Sequence, residues 1–334
     1  MKQLYRQLFL IACCVQMAVA SFGQDMHFSQ FFEAPLYRNP ALAGLVNGDV
    51  RVQTVYRSQW NSIANAYKTT SLNAEYKLQV TGDDFVTVGA QVFHDKAGTT
   101  NLTTTHLLPA INYHKSLNTE KNMYLSVGFM GGLVQRRIDR SRMTTNSTYD
   151  GHGDGESEMF QSQYSYFDGS TGMSVSAQLN DNPENTLVGG AAYHHFTKPK
   201  NSFFNDQTVL VPAKMVVSVD AKLQLSEQLT STFYNDLIKQ GAYREIITGG
   251  LIGYKIGPYS DEPDAVLRLG GFYRWGDAFI PVAQLDYRPF SVSLSYDVNL
   301  SKLSPASYGK GGYELSVTYA GFLNRDNSSA NAVQ

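Results

Sequence analysis

Apolar and polar residues alternate along short stretches that recur through the chain after residue 48. In the stretch 290–298 every even-numbered residue is apolar or aromatic, and every odd-numbered residue is Ser or Asp. A period of two places each set on one face of a β-strand. A polar connection follows, and the alternation returns at Tyr313, Leu315, Val317 and Tyr319, which predicts an antiparallel hairpin.

Similar alternation predicts about fourteen strands, each near the ~10 residues that a tilted membrane strand needs. The predicted strands cover residues 49–60, 68–79, 84–93, 103–115, 122–138, 164–179, 186–196, 214–225, 228–240, 243–256, 265–275, 278–288, 290–299 and 311–322. Short links alternate with longer links such as 139–163 and 197–213. Outer-membrane barrels have short periplasmic turns and longer outer loops. We therefore predict an all-β, antiparallel up-and-down transmembrane barrel with both chain ends in the periplasm.

The first residues carry the features of an export signal. Lys2 and Arg6 precede an apolar run that continues to Ala20 and is too short for a spanning helix. We interpret residues 1–23 as a signal peptide for Sec export, removed after Gly23; cleavage after Ala20 and a lipoprotein box ending at Cys13 are the alternatives. We expect the mature protein in the cell outer membrane.

Composition narrows the class further. The 334 residues include 21 Tyr, 18 Phe and 28 Gly, only 17% are charged, and the formal net charge is -2. Near-neutral charge argues against a nucleic-acid partner, and an outer-membrane barrel must contact lipid. The only cysteines, Cys13 and Cys14, lie in the predicted signal peptide, so the mature chain is expected to lack disulfides and thiolate chemistry.

Aromatic residues near predicted strand ends could form the two interfacial girdles of a membrane barrel. A Tyr-rich β-protein of another kind would scatter them in the same way. The residues are Tyr56, Trp60, Tyr67, Tyr113, Tyr124, Tyr193, Tyr254, Tyr273, Trp275, Tyr287, Tyr296 and Tyr319.

Residues 24–48 differ in kind from the barrel at 49–322 and from the predicted disordered tail at 323–334. Aromatic and apolar residues occur there without a period, and Pro35 and Pro40 cannot donate ladder hydrogen bonds. Phe28, Phe31 and Phe32 are too apolar for a free tail. We expect this segment to pack in the lumen, at the periplasmic mouth or against a partner, and we predict that it folds into the periplasmic side of the barrel.

Signatures of chemistry are weak. The stretch 150–155 begins like a calcium loop, but Gln161 stands where a bidentate Glu is needed. His194 and His195 lie in a predicted strand, which would point the rings to opposite faces. No Gly-x-Ser-x-Gly elbow occurs. We predict no catalytic site, no cofactor and no metal site, and hence no enzyme.

Glycines interrupt two predicted strands, at 128–132 and at 249–253. No helical period follows them, so a phosphate-binding loop is not indicated. They favour bulges or a close backbone approach, for which the amino-terminal segment is the nearest candidate.

Several short motifs resemble one family of outer-membrane proteins. They are His27-Phe-Ser-Gln30, Asn39-Pro-Ala-Leu-Ala-Gly44, Tyr56-Arg57 followed by Trp60, Asp95-Lys96-Ala-Gly98, Val134-Gln-Arg-Arg-Ile138, Tyr273-Arg-Trp275, Ser295-Tyr-Asp-Val-Asn299 and Leu303-Ser-Pro-Ala-Ser307. In this order, from about residue 24 to 319, they are similar to the PorP/SprF family of the type IX secretion and gliding motility systems of Bacteroidota. Met26 departs from the family's usual proline before the histidine.

The resemblance implies a barrel that helps to secrete or anchor large cell-surface proteins by protein–protein interaction. Its implied partners are type IX secretion components and surface proteins with type IX C-terminal signals. A passive outer-membrane porin for small solutes is the alternative. The expected interaction and plug residues are His27, Phe28, Gln30, Phe31, Phe32, Pro35, Asn39, Pro40, Arg57, Trp60, Asp95, Lys96 and Asp297. The resemblance suggests that Arg57, Asp95, Lys96 and Asp297 brace the segment or a partner; they could instead only balance charge within the wall.

Overall fold

Fourteen antiparallel strands form a closed barrel in the computed structural model, which describes residues 25–59, 67–143, 160–301 and 309–323. The strands are β1 Val50–Gln59, β2 Tyr67–Thr81, β3 Asp84–Ala97, β4 Leu102–Asn118, β5 Met123–Arg137, β6 Gln163–Gln178, β7 Thr186–His194, β8 Lys214–Gln224, β9 Leu229–Gln240, β10 Tyr243–Ile256, β11 Ala265–Arg274, β12 Ala278–Tyr287, β13 Phe290–Asn299 and β14 Lys310–Gly321. The predicted barrel and its strand number are confirmed.

Each strand pairs with its neighbours in the chain, and β1 pairs with β14 to close the sheet. In that closing pair, Val50 lies opposite Gly321 and Gln59 lies opposite Gly312. Closure leaves no unpaired sheet edge, as a β-structure in a membrane requires. Among the described residues, no helix is both long and apolar enough to cross a membrane.

The two ends of the barrel differ in their connections. We call the end that holds Val50 and Gly321 the terminal rim; most connections there are short, as between Thr81 and Asp84. We call the opposite end the loop rim; it carries the longer connections 138–162, 195–213 and 300–309. The position of each contact in the lumen is given by the rim to which it lies nearer.

Inward and outward faces follow the predicted alternation. In β13, Leu294 and Tyr296 are 55% and 42% exposed, whereas Ser293 and Ser295 are 1% and 2% exposed. Apolar side chains therefore cover the outside of the barrel and polar side chains line its interior, the arrangement of a membrane barrel.

Several predicted girdle residues are exposed at the two rims. Tyr273 and Trp275 lie at the loop-rim end of β11, and Tyr254 and Tyr287 lie near the terminal rim. Tyr124 does not belong to a girdle, because its side chain is only 3% exposed and packs inside the barrel against Phe85. Trp60 lies outside the described residues.

The interior is filled rather than hollow. Residues 25–48, which we call the lumen segment, form two 3₁₀ turns, Phe31–Glu33 and Pro40–Leu42, and a short helix, α1, Pro35–Arg38. Buried apolar residues of this segment form clusters with inward-facing residues of the strands. The predicted non-strand segment in the lumen is confirmed.

Candidate functional site

The lumen segment folds into turns because of its two prolines. Pro35 begins α1 and Pro40 begins the second 3₁₀ turn, positions where a missing N–H costs no intrahelical hydrogen bond. Asn39 caps that turn, since its side-chain oxygen accepts from the Ala41 N–H at 2.8 Å. A short, compact chain therefore occupies the lumen without adding to the ladder.

Near the loop rim, Ser29 lies at the centre of a charged layer. Its hydroxyl donates to Asp297 at 2.6 Å, and Arg57 and Arg274 each donate to its oxygen at 2.6 Å. Glu314 accepts the Ser29 and Gln30 N–H groups at 2.6 and 2.7 Å and pairs with Arg57. Arg57 also pairs with Asp297 at 2.8 Å. Two arginines thus face two carboxylates around the segment backbone.

A second charged layer surrounds Arg38. Its terminal nitrogens donate to the two Asp220 carboxylate oxygens at 2.5 and 2.6 Å, and its Nε donates to Asp236 at 2.8 and 2.9 Å. The Arg38 and Asp236 side chains are 4% and 1% exposed. A fork of this kind fixes position and orientation together, so α1 is held firmly against β8 and β9.

Aromatic contacts also hold the segment in the lumen. Phe31 packs edge-on against Phe272 with ring centroids 5.5 Å apart, and Phe32 stacks on Tyr234 at 4.9 Å. On another side of the lumen, Phe28 packs against Phe93 at 6.0 Å. Burial of these rings removes a large apolar area from water.

Glycines in the wall let the segment approach the strands closely. A Cβ on Gly128 would lie 2.5 Å from the Pro40 carbonyl carbon, and a Cβ on Gly172 would lie 1.9 Å from Asn39 Oδ1. The close approach predicted for 128–132 therefore occurs at Gly128. For the 249–253 group, the nearest neighbours of Gly249 and Gly250 are other strands, not the lumen segment.

The segment runs between the two rims, which differs from the expected position on the periplasmic side alone. At the loop rim, Asp25 exchanges hydrogen bonds with Gln240 at 2.8 and 3.0 Å and contacts Lys214 at 3.2 Å. At the terminal rim, Lys77 Nζ donates to the Val46 carbonyl at 2.8 Å. The sequence does not indicate which rim each end of the segment reaches, because Gln240, Lys214 and Lys77 are all polar residues of the strands with the same inward-facing pattern.

The prediction that His194 and His195 point to opposite faces is wrong. β7 ends at His194, and His195 takes a left-handed φ of 58°, which turns both buried rings inward. His194 contacts Ser170 at 2.9 Å, while His195 lies between Asp168 at 2.5 Å and Asp25 at 2.7 Å. His194 Nε2 also contacts the Arg38 carbonyl oxygen at 3.3 Å, so both histidines hold the segment. In the described ranges, no three His, Cys, Asp or Glu residues are placed to hold a metal.

The remaining predicted site residues lie beside the lumen, lie in the wall away from the segment, or fall outside the described residues. Gln30 reaches Ser295 at 3.0 Å, and His27 lines a small cavity beside Lys214. Asp95 is buried but accepts from Thr69 in the wall at 2.7 Å. Lys96 is exposed and shares the outward face of β3 with Val92, so it does not brace the lumen segment. Trp60 and the calcium-like stretch 150–155 lie outside the described residues.

Arg38, which belongs to the segment, and Arg274 and Glu314, which contact it, were absent from the predicted site. The alternation in the sequence shows that a charged residue faces inward. It does not show whether that residue contacts water or an ion-pair partner. Arg38 did carry one signal, since an arginine within a buried aromatic stretch needs a carboxylate partner.

The space that remains in the lumen lies mainly toward the terminal rim. A cavity of about 420 Å³, which we call the vestibule, is lined by charged residues that include Arg51, Lys222, Arg268 and Asp286. Phe32, Glu33 and Leu42 of the lumen segment form its inner boundary. The vestibule is therefore a polar recess that ends at the segment.

The fold and the filled lumen define the class of protein: an outer-membrane-type β-barrel whose own amino-terminal segment occupies the interior. Solved structures of similar fold are outer-membrane barrels. The CymD monoaromatic hydrocarbon channel is 13% identical, with 89% of this chain and 95% of that chain covered and a TM-score of 0.48. A TodX deltaS2S3 mutant monoaromatic hydrocarbon channel is 12% identical, with 86% and 93% covered and a TM-score of 0.49.

The chain belongs to the PorP/SprF family of type IX secretion system membrane proteins, whose family model matches residues 20–319. The resemblance inferred from the short motifs is thus confirmed over nearly the whole chain. No curated protein matches the chain.

Proposed function

We propose that this protein is an outer-membrane component of the type IX secretion system that helps to secrete or anchor large cell-surface proteins by binding them. The observation that supports this most is the lumen segment, which is held by two ion-paired layers and aromatic contacts. A barrel closed by its own chain suits a binding platform better than an open pore.

The two rims suggest which partners meet which surface. Short turns at the terminal rim and long connections at the loop rim correspond to the periplasmic and outer sides of bacterial barrels. In this orientation the vestibule opens to the periplasm, where a component of the machinery can dock. The loops face outward, where surface proteins carrying type IX C-terminal signals are retained. No step of this role requires enzymatic chemistry.

A passive porin is the second candidate, and the charged vestibule is the feature that favours it. Release of the lumen segment would join the vestibule to the loop rim through a polar lumen. Single-channel recording separates the two functions. The intact purified protein is expected to show no large steady conductance, whereas a variant lacking residues 26–40 should conduct.

The secretory role is tested in cells from which the gene has been deleted. Surface proteins with type IX C-terminal signals should be lost from intact cells, as measured by protease shaving and mass spectrometry. The wild-type chain and a Gly189→Ala control, whose added methyl meets nothing within 4 Å, should restore them. The variant lacking residues 26–40 should insert without restoring them.

A mild-detergent purification of the native complex then identifies the partners. We expect type IX components and surface proteins to remain bound to the wild-type chain. Normal surface display in the deletion strain, together with a large steady conductance of the intact protein, would reject the proposal in favour of a porin.

A further inference from the structure

The barrel wall is interrupted between β4 and β5. Residue pairing runs from Thr103–Arg137 to Leu107–Leu133 and resumes only at Ala110–Met130. Pro109 lies in the interruption and has no N–H to donate, and Gly131 and Gly132 oppose it. The wall is therefore thin here, since the pairing of β4 with β5 is lost at two positions and two of the residues lack side chains.

An apolar depression of about 330 Å³ opens on the outward face at this point. Ile111, Phe129 and Phe167 line it and are 53%, 54% and 58% exposed. Ala110 and Met130, whose side chains are buried, form its floor. Ser170 also reaches it, but its hydroxyl is engaged by His194 at 2.9 Å. The depression is thus an apolar recess in a surface that faces hydrocarbon.

A polar cleft of about 490 Å³ lies beside the depression toward the loop rim. Phe167 lines both, and Thr197, which follows the depression's Phe196 in the chain, lines the cleft. Lys198 and Lys200 also line the cleft and are exposed. In the part of the chain that the structure describes, no carboxylate forms an ion pair with either lysine.

The cleft has a cationic character. Asp206 is a carboxylate along its lining, but it accepts from the Thr208 N–H at 2.8 Å and from the Thr208 hydroxyl at 2.7 Å. The described lining thus carries two ammonium groups against one carboxylate, and this net positive charge attracts an anion, for which lysine acts as a point charge. Gln161, Ser202 and Asn205 add amide and hydroxyl groups to the same lining.

We propose that the depression and the cleft together bind phosphorylated lipid A of the outer leaflet. An acyl chain fills the depression, and a phosphate meets Lys198 and Lys200. The inference rests on the orientation of the proposed function, in which the loop rim faces outward; the order of the two parts then matches a lipid of that leaflet, because the cationic cleft lies on the loop-rim side of the apolar recess. The amide and hydroxyl groups suit the sugar of lipid A better than a small phospholipid head group.

Binding is measured on the full-length processed protein in mild detergent, by native mass spectrometry with phosphorylated lipid A, dephosphorylated lipid A and phosphatidylglycerol as probes. The Lys198→Ala/Lys200→Ala variant should bind phosphorylated lipid A about tenfold more weakly. It should bind the dephosphorylated lipid as the wild type does. The matched control, Lys68→Ala/Lys239→Ala, removes two exposed loop-rim lysines outside the cleft and should change neither affinity.

Filling the depression tests the acyl part separately. Gly131→Leu places a side chain in the recess, where an added Cβ would lie 3.2 Å from Phe167 Cζ, and should weaken binding of both forms of lipid A. Gly189→Leu adds the same side chain where a Cβ meets nothing within 4 Å and serves as the control. Each variant is checked for an unchanged heat-dependent gel shift.

Three results would overturn the proposal. The first is equal weakening by the control lysine variant, and the second is unchanged binding by Gly131→Leu. The third is equally tight binding of phosphatidylglycerol, which would identify the occupant as an ordinary anionic phospholipid. None of these results bears on surface-protein display, so the secretory role is judged independently.

Discussion

Replacing Arg38 by methionine removes the only cation that forms ion pairs with Asp220 and Asp236 among the described residues. The side chains of Asp220 and Asp236 are 18% and 1% exposed, so water can replace the lost partner at one carboxylate but hardly at the other. Breaking a buried ion pair in this way costs about 3–5 kcal/mol. The loss should fall mainly on docking of the lumen segment, because the barrel ladder does not depend on Arg38.

Hydrogen exchange of residues 25–48 measures that loss directly. A change of about 3–5 kcal/mol corresponds to exchange faster by roughly two to three and a half orders of magnitude. Arg38→Lys keeps the charge without the fork and should show a smaller effect. Combining R38M with D220N and D236N removes all three charges and should recover most of the protection.

A hydrogen-exchange rate of residues 25–48 in R38M that lies within a few-fold of the wild-type rate would refute the cost of about 3–5 kcal/mol given for breaking these ion pairs. A triple variant as loose as R38M would show instead that the shape of the arginine, not the unbalanced charge, holds the segment.

Two further substitutions test the wall. Leu294→Arg places a charge on the lipid-facing side and should destabilise the barrel by about 2–4 kcal/mol, as measured by denaturant titration of the protein in vesicles. Ser291→Arg faces the vestibule and should cost less, and equal costs would contradict the strand register. Gly172→Ala should displace Asn39 and weaken docking of the segment by about 1–3 kcal/mol, measured as faster hydrogen exchange near Asn39, while Gly189→Ala should leave that exchange unchanged. Unchanged exchange in Gly172→Ala would contradict the close approach of Asn39 to the wall.

The strands could be predicted from sequence because every outward side chain in contact with hydrocarbon must be apolar. Strand ends were less predictable where the strands extend beyond the hydrocarbon and outward side chains can be polar. The alternation predicted that β3 ends at Phe93, yet the strand continues to Ala97. The outward residues His94 and Lys96 are polar, as expected beyond the hydrocarbon near the loop rim, so the pattern disappears while the hydrogen-bonded ladder continues.

The path of the lumen segment could not be predicted in the same way. Its contacts join residues far apart in the chain, such as Arg38 with Asp220, 182 positions apart. No periodicity specifies such a pair, because each partner follows the local pattern of its own element. Arg57 and Asp297 were selected from matching family motifs, and the structure places both on Ser29. Arg274 lies in the motif Tyr273-Arg-Trp275 but was not selected, and Glu314 was missed for want of any local signal.

The two charged layers differ in what the wall alone provides. Around Ser29 the wall supplies Arg57 and Arg274 together with Asp297 and Glu314, so its charges balance whether or not the segment is present. Among the described residues, Asp220 and Asp236 form ion pairs only with Arg38, so the segment brings their partner cation. An empty lumen would therefore leave both carboxylates without their ion-pair partner, which is costly for a side chain as buried as that of Asp236. A polypeptide that displaced the segment would restore these ion pairs only by placing a basic side chain beside Asp220 and Asp236. The charges of the barrel wall thus match its own amino-terminal segment, and this match stabilises the filled lumen relative to an empty one.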